Sequence, residues 1–373
     1  MVSPRDAKLR RNPLARFHSM HVRLGMSSRA EAKRKPPANQ SARKEENHRE
    51  AHDVILHQGL SPRMMQWLLS TLLLLTGYLT GAGTAQARAE SHNGLRPLRV
   101  VTFNLLHDGA GSGFLDGDTR LEERLQMTIH ELKKLDPDII AVQEASDSRR
   151  HGNVPDRLAM ALGFHVVFEP ATEHVFGLWP LDSIVVGMMG FKEGSAILSR
   201  FPITASHVYD LPRCKKWLEP RILLQAEVST VWGPLQVFST HTGRGDECQM
   251  ERVGEIVRGR LGAGPSLLMG DFNTPETSQE LTTLINKAGF MDAYRLANPE
   301  AAGPTVWQRI KSPDPTVSRR VDFILLLNGR QRAASVRSSR LVLDHPGHLP
   351  DGTTLWPSDH YGVLAEMDIH SVP

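Results

Sequence analysis

The 373-residue sequence has no G-x-S-x-G elbow and no H-E-x-x-H signature, so neither that class of serine hydrolase nor that class of zinc enzyme is written into it. His48-Arg49-Glu50-Ala51-His52 carries its Glu at the wrong position, in a segment with almost no apolar periodicity. The glycine-rich run Gly109–Gly117 lacks G-x-G-x-x-G spacing and does not open a helix directly, so it reads as a flexible active-site loop. There are only two cysteines, Cys214 and Cys248, and no internal repeat.

Charge is unevenly distributed. The segment before Arg88 holds 14 basic and 6 acidic residues, a surplus of 8, and the remainder has 30 basic against 35 acidic, a net −5. The basic character of the whole chain therefore belongs to its N-terminus. Residues 1–63 are rich in Arg, Lys, Ser, Pro and His and cannot bury enough surface to fold, which predicts a disordered basic tail; a mis-assigned start, with Met26, Met64 and Met65 downstream, is the other explanation. In residues 64–87 an apolar stretch from Trp67 to Leu79 is too short to span a bilayer comfortably, and it runs into Ala85-Gln86-Ala87. That pattern suits a cleaved secretory signal, with an uncleaved anchor as the alternative. Either way the folded part, residues 88–373, is expected outside the cytoplasm, secreted or periplasmic, or membrane-anchored with its domain on that side.

From Leu98 onward short apolar runs alternate with helical periods. "LRVVTFNLL", "DIIAVQEA", "FHVVFE", "GSAILS", "RILLQAEV", "LQVFSTH", "SLLMGDFN", "VDFILLL" and "GVLAEMDI" read as strands. Leu121, Leu125, Ile129 and Leu132 share one helical face, with Asp118 or Thr119 as N-cap, and Met250, Val253, Val257 and Leu261 share another. A further helix is expected to open at Pro275. The pattern predicts one layered α/β domain with a contiguous core.

The strands end in chemistry-bearing residues: Asn104, Glu144, His241, Asp271 with Asn273, and Asp359-His360 just before the last strand. Each alone has a structural reading. Asn273 or Thr274 could cap the next helix, Glu144 could be a helix-start acid, His241 a half-buried histidine, and Asp359-His360 a turn. Their joint placement at strand mouths points to a site.

The ordered set "TFN", "QE", "EGSAILSRFPI", "STH", "GDFN", "RVDFI" and "SDH" resembles the endonuclease/exonuclease/phosphatase superfamily from about Arg99 to Ile369. The resemblance implies a four-layered α/β sandwich, with two mixed β-sheets face to face and helices outside. It implies a phosphoesterase using a divalent metal, Mg²⁺ with Mn²⁺ as the substitute. Glu144 would be the main metal ligand with Asn104 beside it, and Asp359 would support them or hold a second metal. Asp271 would orient or deprotonate the attacking water, and Asn273 would donate to a phosphoryl oxygen. His360, held by Asp322, would contact the scissile phosphate; His241, paired with Glu193, would stabilise phosphoryl charge. A surface ion pair is the plain alternative for Glu193 and Asp322.

The implied substrate is a phosphate ester, either nucleic acid or a phospholipid head group. Phosphorylated small molecules, hydrolysed as monoesters, form the next class, and a non-catalytic binding domain is the reading from outside enzymology. The folded part is net acidic, with basic residues concentrated near Arg319 to Arg340, where a nuclease would carry basic stripes. The apolar segment Glu169 to Phe191 is either core or a lipid-facing loop, which leaves membrane contact open; a monomer is expected. The short "STVWGP" connection predicts a hairpin centred near Trp232 and Gly233, which brings Cys214 and Cys248 to neighbouring segments beyond its open end. In an oxidising compartment they are expected to form a disulfide that contributes about 3 kcal/mol of chain-entropy stabilisation.

Overall fold

The computed structural model describes residues 95–107, 119–174, 190–214 and 219–372, together with Leu181, Asp182, Ile184 and Gly187. The basic tail, the signal or anchor segment, the Gly109–Gly117 loop, Asp118 and part of the Glu169–Phe191 segment lie outside the described residues.

Among the described residues, eleven long strands and five α-helices with described bounds carry the domain. The strands are β1 (Leu98–Asn104), β2 (Ile139–Ser148), β3 (His165–Glu169), β4 (Phe191–Ser199), β5 (Ile203–Asp210), β6 (Ile222–Thr230), β7 (Gly233–His241), β8 (Ser266–Asp271), β9 (Asp322–Leu327), β10 (Arg332–Val342) and β11 (Gly362–Ser371). The helices are α1 (Leu121–Leu135), α2 (Val154–Leu162), α3 (Glu247–Gly259), α4 (Gln279–Ala288) and α5 (Ala293–Ala297).

One sheet has the order β10-β11-β1-β2-β4-β3, and the other runs β9-β8-β7-β6-β5 with the two-residue strand Met291–Asp292 at its edge. Both are mixed: β1 and β2 are parallel, as are β7 and β8, whereas their other neighbours are antiparallel. Three apolar clusters mark the interfaces between four layers. Val100, Ala141 and Ile197 of the first sheet meet Leu224, Val237, Met269 and Ile324 of the second in the central cluster. Leu121, Leu125 and Leu132 of α1 and Leu158 of α2 cover the outer face of the first sheet. Met250 and Val253 of α3 and Leu281 and Leu284 of α4 cover the second. This is the expected sandwich, and it explains why β1, β8 and β9 read as continuous apolar runs: each is buried on both faces.

Three local expectations shift. The N-cap of α1 is Arg120, in the left-handed region without a side-chain cap bond, and not the expected Thr119. Helix α4 begins at Gln279, not Pro275, with Ser278 capping through Leu281 N. The β6–β7 hairpin pairs Thr230 with Gly233, one residue earlier than expected, because Trp232 is buried at the turn with its ring edge-on to Phe201. Cys214 and Cys248 are disulfide-bonded, with Cα atoms 6.5 Å apart.

Candidate functional site

Sheet register does much of the assembly. His241 at the end of β7 pairs with Asp271 at the end of β8, and Asp271 pairs with Asp322 at the start of β9. Residues opposite one another on adjacent strands point to the same face, so three side chains line one edge of the second sheet. Gly270 permits this crowding. A Cβ on it would lie 2.0 Å from Thr240 O, so the "GD" of "GDFN" needs glycine for β8 to run this close to β7.

Asp271 is the hub. Its Oδ1 accepts from Asn273 N at 2.7 Å, and its Oδ2 accepts from Asn104 Nδ2 at 3.2 Å. The same Oδ2 lies 3.4 Å from His241 Nε2 and 3.7 Å from His360 Nε2. Burial, opposed by the charge of His360 and reinforced by Asp322, pushes its carboxyl up to about 7. Asn273 adopts φ +49°, a left-handed turn that returns its side chain to the site instead of capping α4. Its Nδ2 lies 2.7 Å from His241 Nε2 and donates to Thr242 O at 3.1 Å.

Glu144 reaches the site through a β-bulge. Between Val142 and Ala145 strand β2 carries one residue more than β4, and Glu144 sits there at φ +51°. A bulge re-aims a side chain that regular alternation would direct elsewhere. Glu144 Oε1 accepts from Asn104 Nδ2 at 3.1 Å, and Oε2 lies 3.8 Å from His107 Nε2. Burial works against its charge, but His107, His360, the Asn104 hydrogen bond and Arg221 together hold the carboxyl below its ordinary value.

The two histidines stand in different electrostatic settings. His360 Nδ1 lies 2.9 Å from Asp322 Oδ2, and although burial opposes ionisation, Asp322, Asp271 and Asp359 raise the imidazole well above its ordinary pKa. It is an imidazolium at neutral pH. His241 goes the other way: burial, then Arg221, His360 and His107, hold it well below its ordinary value, so it is neutral. The expected Glu193–His241 pair is not formed, and His241 Nδ1 is buried without a hydrogen-bond partner. Glu193 instead belongs with Glu144, Arg221 and Glu219, where burial and the negative charge of Glu144 push it up to about 8. Its position in "EGS" carries it to the site, where the charges acting on it are those of Glu144 and Arg221 and not of an imidazole.

Asp359 is half-buried beside His360, and its carboxyl is pushed up to about 6 by burial and by Glu144, against His360 and Arg124. Ser358 ties this segment down: its Oγ donates to Asn104 O at 2.7 Å and accepts from His360 N at 3.2 Å.

Two contributors carry no motif signal. Arg221, only 12% exposed, places its charge among Glu144, Glu193 and His241, and its Nε has no hydrogen-bond partner. Arg124 of α1 is fully buried; its guanidinium donates to Leu105 O at 2.6 Å, Leu106 O at 2.7 Å and Pro357 O at 3.1 Å. It thereby joins the segments after Asn104 and before Asp359. An arginine in a helical period or at a strand start looks like surface charge in sequence; only placement shows otherwise.

The donor set suits a hard divalent cation. Glu144, Asp271 and Asp359 offer oxygens, the carboxyls of Asp271 and Asp359 are raised by burial and by neighbouring acids, and Asp322 Oδ1 is buried without a partner. Asn104, expected beside Glu144 as a ligand, turns Nδ2 to Glu144 and Asp271 while its Oδ1 accepts from Leu106 N at 3.0 Å. Among the described residues of the site, the three His or carboxylate side chains whose atoms all lie within 4.8 Å of one another are Asp271, Asp322 and His360, and Glu144 and Asp359 are not in that group. His360 Nδ1 and Asp322 Oδ2 are engaged with each other, which leaves the other carboxylates as the fitting ligands. Magnesium keeps part of its water shell and does not need all protein oxygens in mutual contact.

Residues 101–360 match the model of the Endonuclease/Exonuclease/phosphatase family. No curated protein sequence matches the chain. Among solved structures, an endonuclease/exonuclease/phosphatase from Beutenbergia cavernae is 25% identical at TM-score 0.52, with 74% of this chain and 72% of that one covered. A mannosyl-6-phosphatase from Bacteroides thetaiotaomicron is 20% identical at TM-score 0.54, covering 73% and 99%. D. rerio TDP2 complexed with single strand DNA product is 17% identical at TM-score 0.52, covering 73% and 98%.

Proposed function

Because the chain belongs to the endonuclease/exonuclease/phosphatase family, we propose that it is a Mg²⁺-dependent phosphoesterase, and specifically a phosphodiesterase, that works outside the cytoplasm. The observation that carries the reading is the buried carboxylate of Asp271 set between a charged His360 and a neutral His241. A plain binding surface gains nothing from burying such a costly set of groups.

Glu144, with Asp359 nearby, would hold the metal, and Asn104 Nδ2 holds the Glu144 carboxylate in place. When bound, Mg²⁺ supplies positive charge to the phosphoryl oxygens and neutralises the buried acids. Asp271, with a carboxyl near 7, is matched to accept a proton from an attacking water close to neutral pH. Asn273 Nδ2 lies 2.7 Å from Nε2 of the neutral His241 ring, and it would exchange that contact to donate to a phosphoryl oxygen. His360 opposes charge that develops on the phosphoryl group, and Asp322 fixes its orientation by accepting from Nδ1. Arg221 adds a fixed cation on the His241 side.

The proposed location rests on the signal-like residues 64–87 and on the Cys214–Cys248 bridge, which belongs to an oxidising compartment. Among the described residues no helix is long and apolar enough to cross a membrane. The same fold carries a sugar phosphatase and a DNA-bound neighbour, so substrate class has to come from experiment. Turnover of bis-p-nitrophenyl phosphate, p-nitrophenyl phosphate, DNA, RNA and sphingomyelin with Mg²⁺, using Asp271→Asn as the control, is the test. Diester turnover abolished in the variant is expected. Turnover of the monoester alone would make the protein a phosphomonoesterase, and none at all would leave a binding domain.

A further inference from the structure

Trp307 is 48% exposed, and its backbone neighbours hold it beside the centre. Val306 bridges to His360, and Gln308 N donates to Asp359 O at 2.7 Å. Two guanidiniums lie against its ring: Arg244 Cζ and Arg319 Cζ are each 4.9 Å from the centroid. They come from separate segments, Arg244 three residues beyond His241 and Arg319 three residues before Asp322.

Their pairing sets them apart. Arg320, adjacent in sequence, is buried and engaged with Asp292 and Glu276, and Arg295 shares Glu276. Arg244 and Arg319, by contrast, have no carboxylate partner among the described residues. The folded part of this chain is net acidic, yet two unpaired guanidiniums converge on one indole at the edge of the site. The ring attracts each cation, but the cations repel one another. An anion between them relieves that repulsion, and arginine forks match phosphate geometry.

We propose that Trp307, Arg244 and Arg319 form a second phosphate subsite, which selects nucleic-acid strands that carry a neighbouring phosphate beside the scissile diester. This rests on the phosphodiesterase reading and gives its substrate class. A choline phosphodiester carries a quaternary ammonium, and two guanidinium cations repel it. The exposed indole surface adds a stacking platform for a base, as in sequence-tolerant single-strand binding.

The test uses two chromogenic esters that differ in one group: thymidine 5′-(p-nitrophenyl phosphate) and the same compound with a 3′-phosphate. The wild-type protein should prefer the 3′-phosphorylated ester in kcat/KM on the order of tenfold. In Arg244→Ala/Arg319→Ala that ratio should fall to about one, and added salt should shrink it in the wild type. Arg244 is exposed, so Arg244→Ala alone gives a partial loss without threatening the fold. An unchanged ratio in both variants, or faster hydrolysis of sphingomyelin than of either ester, overturns the proposal. If neither ester turns over, the phosphodiesterase reading fails, and calorimetry still decides the subsite. Thymidine 3′,5′-bisphosphate must then bind the wild type more tightly than thymidine 5′-monophosphate, and the double variant must lose the difference.

Discussion

His360 and His241 flank the same carboxylate, Asp271, yet one is charged and the other neutral. The difference lies in their backing. His360 leans on Asp322, with Asp271 and Asp359 close by; His241 has no carboxylate behind Nδ1 and faces Arg221, His360 and His107. Two imidazoles of equal intrinsic basicity are thus split into an ion and a neutral ring by a single hydrogen bond and the signs of their neighbours. One side of the centre supplies positive charge, and the other supplies aligned dipoles.

The strongest way to break this division is at Asp322. Asp322→Asn should lower kcat by at least about a hundredfold, in line with losses of a catalytic charge stabiliser, and should bring the loss of activity with rising pH to lower pH, because His360 then deprotonates earlier. His360→Ala should cost a similar factor. A pH profile unchanged in Asp322→Asn would contradict the pairing. On the other side, Glu193→Gln should change kcat by less than about threefold at pH 7, since Glu193 does not touch His241 and, pushed to about 8, is mostly protonated there before metal binds. A hundredfold loss would restore the Glu193–His241 pair to the mechanism.

Stability against pH sharpens the same contrast. Glu193, Asp271, Asp359 and His360 all have raised folded-state values, so each binds its proton more tightly in the folded protein. Each stabilises most below its unfolded value, and that contribution is lost as pH rises through the folded one. His241 counts the other way, because its folded value is lowered. Raised groups outnumber it, so chelated protein should melt at lower temperature at pH 8 than at pH 5. Added Mg²⁺ should recover more at pH 8, where the acids are ionised. Thermal melts at both pH values with and without metal decide it.

The strand ends were legible because a buried strand shows as an apolar run, and a polar residue at its close stands out. Asn104, His241, Asp271 and His360 were found in that way. Less legible was what depends on register and on the return of the chain. The bulge that aims Glu144 leaves no mark on "VQEA", and Asn273 had an equally good reading as a helix cap until Ser278 took that role. Glu193 was placed near the centre correctly but given the wrong partner, because a short motif fixes where a residue lies along its strand and not which neighbour crosses to it. Arg221, Arg124 and Trp307 carried no signal, since their roles come from segments far apart in sequence. The disulfide was anticipated despite a one-residue error in hairpin register, because the bridge tolerates Cα separations over a range that includes 6.5 Å.

The most direct test of the central claim is the rate of bis-p-nitrophenyl phosphate hydrolysis by the wild-type protein in excess chelator and then through a Mg²⁺ titration. The account predicts loss of activity on chelation and saturable recovery with Mg²⁺, together with no recovery in Asp271→Asn. Full turnover in excess chelator would contradict it.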